Sequence, residues 1–323
     1  CSIMNKIENS IAETFSEWVH KLNINDVPED VVDKLQLIVM DSFGLMVSAK
    51  NKQYIKSLIN ALQENGDCTL VGHNKKVNPF NASIINGTAI HGEDFDDTFE
   101  GTPVHVGSVM VPAMLSSAQA KNLDGQKFLK GLVVGSELIC RLALVAPTAV
   151  HRQGFHPTAI FGAFGSSIGV ASLLGNTIDE MSSGLGIVGS MASGIIEYLA
   201  EGTSTKRLHP GWAAGCGWQS ANFAKSGFLG PRTVFEGQHG VFNSFAKNNI
   251  EPDFSNIISD LGKRWESKHL ALKPYACGTM AQPFIDCAIK LKGKIGDVEN
   301  IDKIIAVSYT HLRAHETPEH LVC

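Results

Sequence analysis

Thr158-Ala-Ile-Phe-Gly-Ala-Phe-Gly-Ser-Ser-Ile-Gly-Val-Ala-Ser-Leu-Leu174 is the stretch on which the fold turns. It is apolar, has room for several helical turns, and is interrupted by Gly162, Gly165 and Gly169. A second apolar run, Gly131–Ala146, carries Glu137 and Arg141. Both are too short and too punctuated for membrane spans. They read as helices whose Gly, Ala and Ser positions let backbones approach closely.

Outward from these two runs, helical periodicity dominates. Ile7, Ile11, Phe15, Val19 and Leu22 recur at three- and four-residue intervals, the spacing of one helix face. Asp26 and Pro28 read as a cap and first turn ahead of a long helix over 31–47. The pattern predicts further helices over 52–64, 80–94, 108–120, 125–143, 158–174, 178–193 and 211–225. Only 69–71 and 303–306 resemble strands. No heptad is sustained and no solenoid-length repeat occurs, so the expected fold class is mainly α, a compact orthogonal bundle. The polar stretch 246–269 reads as a linker, with a second domain starting near Leu270.

The bulk numbers exclude several classes. Of the 323 residues, 44% are hydrophobic and 18% charged, a core-forming composition and not a disordered one. A net charge of −5 without a basic, aromatic-interleaved stripe gives no reason to expect nucleic acid. Seven scattered cysteines form no CxxC pair, so they read as buried thiols in a reducing compartment. The start, at Cys1, carries no signal-peptide pattern. These readings make the protein soluble and cytoplasmic, with no membrane association. Residues 307–323 match no preceding pattern and read as the translation of a sequencing adapter, with the native chain truncated there. The alternative is a His-rich, metal-binding tail; His311, His315 and His320 enter no argument about function.

The densest chemistry is His91-Gly-Glu-Asp94-Phe-Asp-Asp-Thr98. On a helix His91, Asp94, Asp97 and Thr98 share a face, and three acids in four positions need a cation, a proton or capping amides. An acidic, solvated helix end is the plain alternative; Phe95 breaks the ligand alternation of a calcium loop. His105 and His156 each stand just before a predicted helix, where oriented N–H groups favour carboxylates. Gly202-Thr-Ser-Thr-Lys206-Arg-Leu-His209-Pro-Gly211 reads as a loop ending in cations, without P-loop spacing. Lys273-Pro-Tyr275-Ala-Cys277 groups a cation, a phenol and a thiol. Hydrolase signatures are missing.

With Asn86-Gly-Thr88, His91, Asp94–Thr98, His105, Gly135-Ser-Glu137, Arg141, Gly154-Phe-His156, Thr205-Lys206, Gly215, Gly227–Pro231, Glu236-Gly237 and Lys273–Cys277 in this order, the chain resembles the MmgE/PrpD family. That family includes 2-methylcitrate dehydratases of propionate catabolism, cis-aconitate decarboxylases and iminodisuccinate epimerases. The resemblance implies a large all-helical domain, here 5–267, and a smaller α/β lid starting at 268–306, with the active site between them. It also implies a homodimer, no metal and no organic cofactor. Its active-site positions fall on Asp94, Thr98, His105, His156, Lys206 and Lys273, to which His91 and Tyr275 are added as substrate-binding candidates. The chain departs from the family at Val106, where proline is usual, and in lacking the lid's own active-site residue.

The function expected is a cofactor-independent lyase of the 2-methylcitrate dehydratase type, acting on a small di- or tricarboxylate. Epimerisation, decarboxylation, a non-catalytic helical scaffold and a metal hydrolase using Asp94, Asp97 and His91 are the alternatives. In the lyase, His105 or His156 moves a proton, Lys206 and Lys273 bind carboxylates, and Asp94 orients a histidine.

Overall fold

A computed structural model describes residues 9–62, 65–246, 250–295, 299, 301 and 303–306. The expected adapter-derived tail and its histidines lie outside the described residues. The helices in chain order are α1 (Ile11–Lys21), α2 (Glu29–Ala49), α3 (Gln53–Asn60), α4 (Pro79–His91), α5 (Gly107–Lys121), α6 (Gly125–Val145), α7 (Ala149–Arg152), α8 (Pro157–Leu173), α9 (Ile178–Gly189), α10 (Tyr198–Glu201), α11 (Thr205–Lys225), α12 (Val241–Phe245), α13 (Ser255–Ile258) and α14 (Gln282–Ile295). Two antiparallel strand pairs accompany them: β1 (Cys68–Thr69) with β2 (Lys76–Val77), and β3 (Thr98–Phe99) with β4 (Leu270–Ala271). The fold is mainly α.

The stretch Thr158–Leu174 is the centre of the molecule. Nearly every residue of α8 is buried, and α5, α6, α9 and α11 pack around it. Small residues make this possible. A methyl group on Gly135 of α6 would stand 2.5 Å from the Gly165 carbonyl oxygen of α8, and one on Gly169 2.7 Å from that of Gly131. Such distances are far inside van der Waals contact, so the two backbones touch directly. Helices α4 and α11 cross in the same way: a methyl on Gly211 would lie 2.1 Å from the Ile84 carbonyl oxygen.

Three expectations are corrected. Helix α11 begins at Thr205, not at 211, so Lys206 and His209 belong to a helix and not to a loop. Pro210 misleads there, because proline reads as a helix breaker although packing against α4 and α8 carries the helix through it. The segment 303–306 has no strand, because a strand needs a laddered neighbour and no described residue pairs with it. The polar stretch 246–269 is not a free linker. The fully buried Arg141 guanidinium donates to the carbonyls of Asn256, Ile257, Ser259 and Arg264. Glu137 pairs with Arg141 and accepts from the backbone N–H groups of Glu266 and Ser267. The main chain of this stretch, rather than its polar side chains, satisfies most of the clamp.

Cys68, Cys140 and Cys216 are buried as expected, but Cys287 is exposed on α14, whose residues are all solvent-accessible. No described helix is long and apolar enough to cross a membrane.

Candidate active site

Helix α4 ends at His91, and the chain turns through Gly92 and Glu93 into Asp94, whose φ of 53° is left-handed. Aspartate is among the few residues besides glycine that adopt this conformation readily. The turn is braced from outside. Arg207 Nε donates to the Gly92 carbonyl at 2.8 Å, and the Glu93 carboxylate accepts from Lys52 and Tyr54.

Asp94 is thereby turned toward two lysines. Lys206 Nζ donates to Oδ2 at 3.0 Å. Lys273 Nζ donates to Oδ1 at 2.9 Å and to the Asp94 backbone carbonyl at 2.9 Å. Lys206 lies in the first turn of α11. Lys273 arrives because β4 pairs with β3 in the register Thr98↔Ala271, two residues before it. Burial opposes ionisation of the Asp94 carboxyl, but the two ammonium groups outweigh it and hold the group well below the usual carboxylate range. Lys206 is partly open to solvent, with 26% of its side chain exposed, whereas Lys273 is buried.

Behind this ion triad stands a cluster of imidazoles. The ring centroids of His91 and His105 are 4.9 Å apart, those of His91 and His156 5.6 Å, and those of His156 and His209 5.3 Å. His91 Nδ1 lies 2.8 Å from Asp96 Oδ2. Burial disfavours a charged Asp96, yet His91 and His105 outweigh it and keep the carboxyl well below its ordinary value. Asp96 is therefore an acceptor, and His91 donates through Nδ1; its Nε2 is buried and has no hydrogen-bond partner among the described residues. His105 Nδ1 lies 2.8 Å from the Asp97 backbone carbonyl, an acceptor only, so this nitrogen bears the proton. His105 then offers Nε2 as a lone pair. Burial lowers its pKa to about 4 despite the charge on Asp96, so the ring is neutral at physiological pH.

The carboxylates thus have different tasks from the one expected of Asp94. Asp94 holds lysines, Asp96 orients a histidine, and Asp97 caps α5, accepting from Val106 N–H at 3.1 Å and Gly107 N–H at 2.8 Å. Asp94, Asp97 and His91 consequently do not converge as a metal hydrolase would need. Donor atoms of His91, Asp96 and His105 do lie within 4.8 Å of one another. His91 and His105 each direct an Nδ1–H at a protein oxygen, so a cation bound through these two nitrogens would have to displace both hydrogens.

The structure brings Asp94, His91, His105, His156, Lys206 and Lys273 together, with Thr98 at the edge, its hydroxyl accepting from Thr279 at 3.3 Å. Tyr275 is not brought in; its hydroxyl donates to Asp286 on α14 at 2.8 Å. Two groups escaped the sequence reading. Tyr198 packs its ring 6.2 Å from His156 and 5.6 Å from His209, and nothing in its local sequence marks it. His209 carried a usable signal, since it stands three residues after Lys206, one helical turn on the same face.

A family model described as the MmgE/PrpD N-terminal domain matches residues 13–253. The chain is 26% identical over 312 residues to the cis-aconitate decarboxylase-like protein oryM of Aspergillus oryzae and 24% identical over 320 residues to a cis-aconitate decarboxylase of Aspergillus terreus. It is 28% identical over 264 residues to the cis-aconitate decarboxylase of Mus musculus. These alignments take in 92%, 95% and 78% of this chain but 64%, 65% and 53% of the relatives. The chain therefore spans just under two thirds of the fungal proteins and about half of the mouse one.

Proposed function

Because the chain belongs to the MmgE/PrpD family, through the N-terminal domain at 13–253, we propose that its site serves a lyase acting on a small polycarboxylate, with decarboxylation of a cis-aconitate-like acid as the first reaction. The observation that carries this is the convergence of Lys206 and Lys273 on one carboxylate beside neutral imidazoles. Two ammonium groups that hold Asp94 are equally suited to an incoming carboxylate. When carbon dioxide leaves, its bonding pair stays on the neighbouring carbon as a carbanion. Conjugation with an adjacent carboxylate spreads that charge toward the lysines, and His156 gives the proton that completes the C–H bond.

Dehydration of a 2-methylcitrate-like hydroxy acid is the second reading, favoured by the His105 tautomer. Its Nε2 lone pair can take a proton next to a carboxylate while the hydroxyl leaves. A non-catalytic scaffold accounts poorly for the site, because a scaffold gains nothing from a buried lysine and four buried histidines.

The test is incubation of the chain with cis-aconitate, 2-methylcitrate and iminodisuccinate, each followed by proton NMR. The expected result is loss of the cis-aconitate signals with growth of those of its decarboxylated product, abolished in Lys206→Ala. A folded chain that neither turns over nor binds any of the three, or full activity in Lys206→Ala, sinks the proposal.

A further inference from the structure

His156 and His209 meet nitrogen to nitrogen. Their Nδ1 atoms are 3.2 Å apart in a hydrogen bond between α11 and the N-terminus of α8. Both side chains are buried, at 4% and 7% exposure. The contact is built rather than incidental. His156 N–H donates to the Gly194 carbonyl at 2.8 Å, which fixes the backbone under the first ring. A methyl on Gly194 would lie 2.6 Å from Ala159 Cβ and 3.2 Å from His209 Nδ1, so that position has no room for a side chain beside the second ring. Tyr198 of α10 closes over both rings.

An N–H···N bond between two neutral imidazoles contains one hydrogen, so one Nδ1 donates and the other accepts. Burial pushes both rings toward the neutral form, reinforced by His91 and Lys206: His209 is lowered to about 4 and His156 well below its ordinary value. The remaining charged or titratable neighbours are His105 beside His156 and Tyr198.

We propose that His209 is a positioning residue that shares one hydrogen with His156 between the two Nδ1 atoms, and so decides whether Nε2 of His156 gives a proton or takes one. The proposal rests on His156 as the proton carrier of the lyase. With the shared hydrogen on His209, the single proton of His156 sits on Nε2. When that proton passes to a substrate carbanion, the N–H bond breaks and its electron pair stays on nitrogen, while the carbanion's pair forms the C–H bond. The shared hydrogen then crosses to His156 Nδ1, and His209 Nε2 takes a proton from solvent water. One proton enters, one leaves, the hydroxide left by the water goes to bulk solvent, and both rings are neutral before and after. The pair returns to its starting tautomer when His156 Nε2 takes a solvent proton, the shared hydrogen crosses back and His209 Nε2 releases its own. A solitary buried histidine would have to pass through a charged ring, which burial and Lys206 oppose.

The experiment uses the full chain labelled with nitrogen-15 in its histidines. NMR is expected to show one protonated and one unprotonated Nδ1, joined by a scalar coupling across the hydrogen bond, at pH 7. In His209→Phe the coupling disappears and kcat falls on the order of 10- to 100-fold with KM little changed, a part of the roughly 100- to 10,000-fold that a general acid or base supplies. His209→Gln, which retains a polar partner, recovers some of the loss. Two rings protonated only at Nε2, or an unchanged kcat in His209→Phe, overturns the proposal. Full activity in His156→Ala removes the lyase assignment of His156 and the proposal with it, whereas a coupled pair without the kcat effect removes the proposal alone.

Discussion

Three aspartates within four positions reach three different partners, and that distribution decides the character of the site. Asp94 faces cations, Asp96 a histidine, and Asp97 two helix N–H groups. Burial and the charge on Asp96 push Asp97 up to about 7, although the N–H groups of Gly107 and Val106 pull the other way. Asp96→Asn keeps the shape but removes the charge that holds His91 with its proton on Nδ1. By analogy with the general cost of a wrong histidine tautomer, kcat is expected to fall about 100-fold or more. Steady-state rates on whichever acid is turned over check this, and an unchanged kcat would show that the His91 tautomer is irrelevant to the reaction. The sequence made the cluster legible as a site, with Asp94 and Thr98 read as pocket residues and Asp96 and Asp97 as capping or pairing groups, but not the partners each one meets. Spacing suggested one helix face for His91, Asp94, Asp97 and Thr98, but α4 ends at His91 and Thr98 lies in β3. Nor does spacing say which partner 112 or 179 residues away comes to meet each acid.

Among the elements, the helices were legible because apolar periodicity is a local property. The start of α11 was not, since proline and glycine obscured a turn that only the packing against α4 and α8 explains. The clamp of Glu137 and Arg141 on 256–267 was equally hidden, because its acceptors are backbone carbonyls that leave no trace in side-chain type. The glycines separate by the same contacts. Gly135→Ala sets a methyl against the Gly165 carbonyl and is expected to cost about 1–3 kcal/mol. Gly44→Ala, on α2 with no described residue within 4 Å of the new methyl, is expected to stabilise by roughly 0.5–1 kcal/mol. Urea unfolding of the two variants decides the matter: the reverse order would mean that α6 and α8 do not touch through their backbones.

For the whole molecule, the buried imidazoles set the response to acid. His105 and His209 titrate near 4 in the folded chain, and His156 lies well below its ordinary value, whereas an unfolded histidine titrates near 6.5. A depressed histidine pKa means that the unfolded chain takes up protons first, so stability is lost as pH falls from about 6.5 toward 4. Asp97, raised to about 7, works in the opposite sense over that window, because there the folded chain holds the extra proton. His73, also lowered by burial, adds to the histidines, and Asp41, raised by burial, adds to Asp97. The histidines outnumber the carboxyls, so the net effect is a loss of stability toward acid. Thermal unfolding is therefore expected at a lower Tm at pH 5 than at pH 7. A flat or rising Tm toward acid would mean that the rings are solvated and charged.

The ion triad also orders the site in time. During synthesis Asp94 appears long before its counter-charges: Lys206 follows 112 residues later and Lys273 179 residues later. Until the second of these has been made, the carboxylate that anchors the site has at most one cation beside it. No nascent chain shorter than Lys273 can hold the completed site, however much of the helical bundle has already folded.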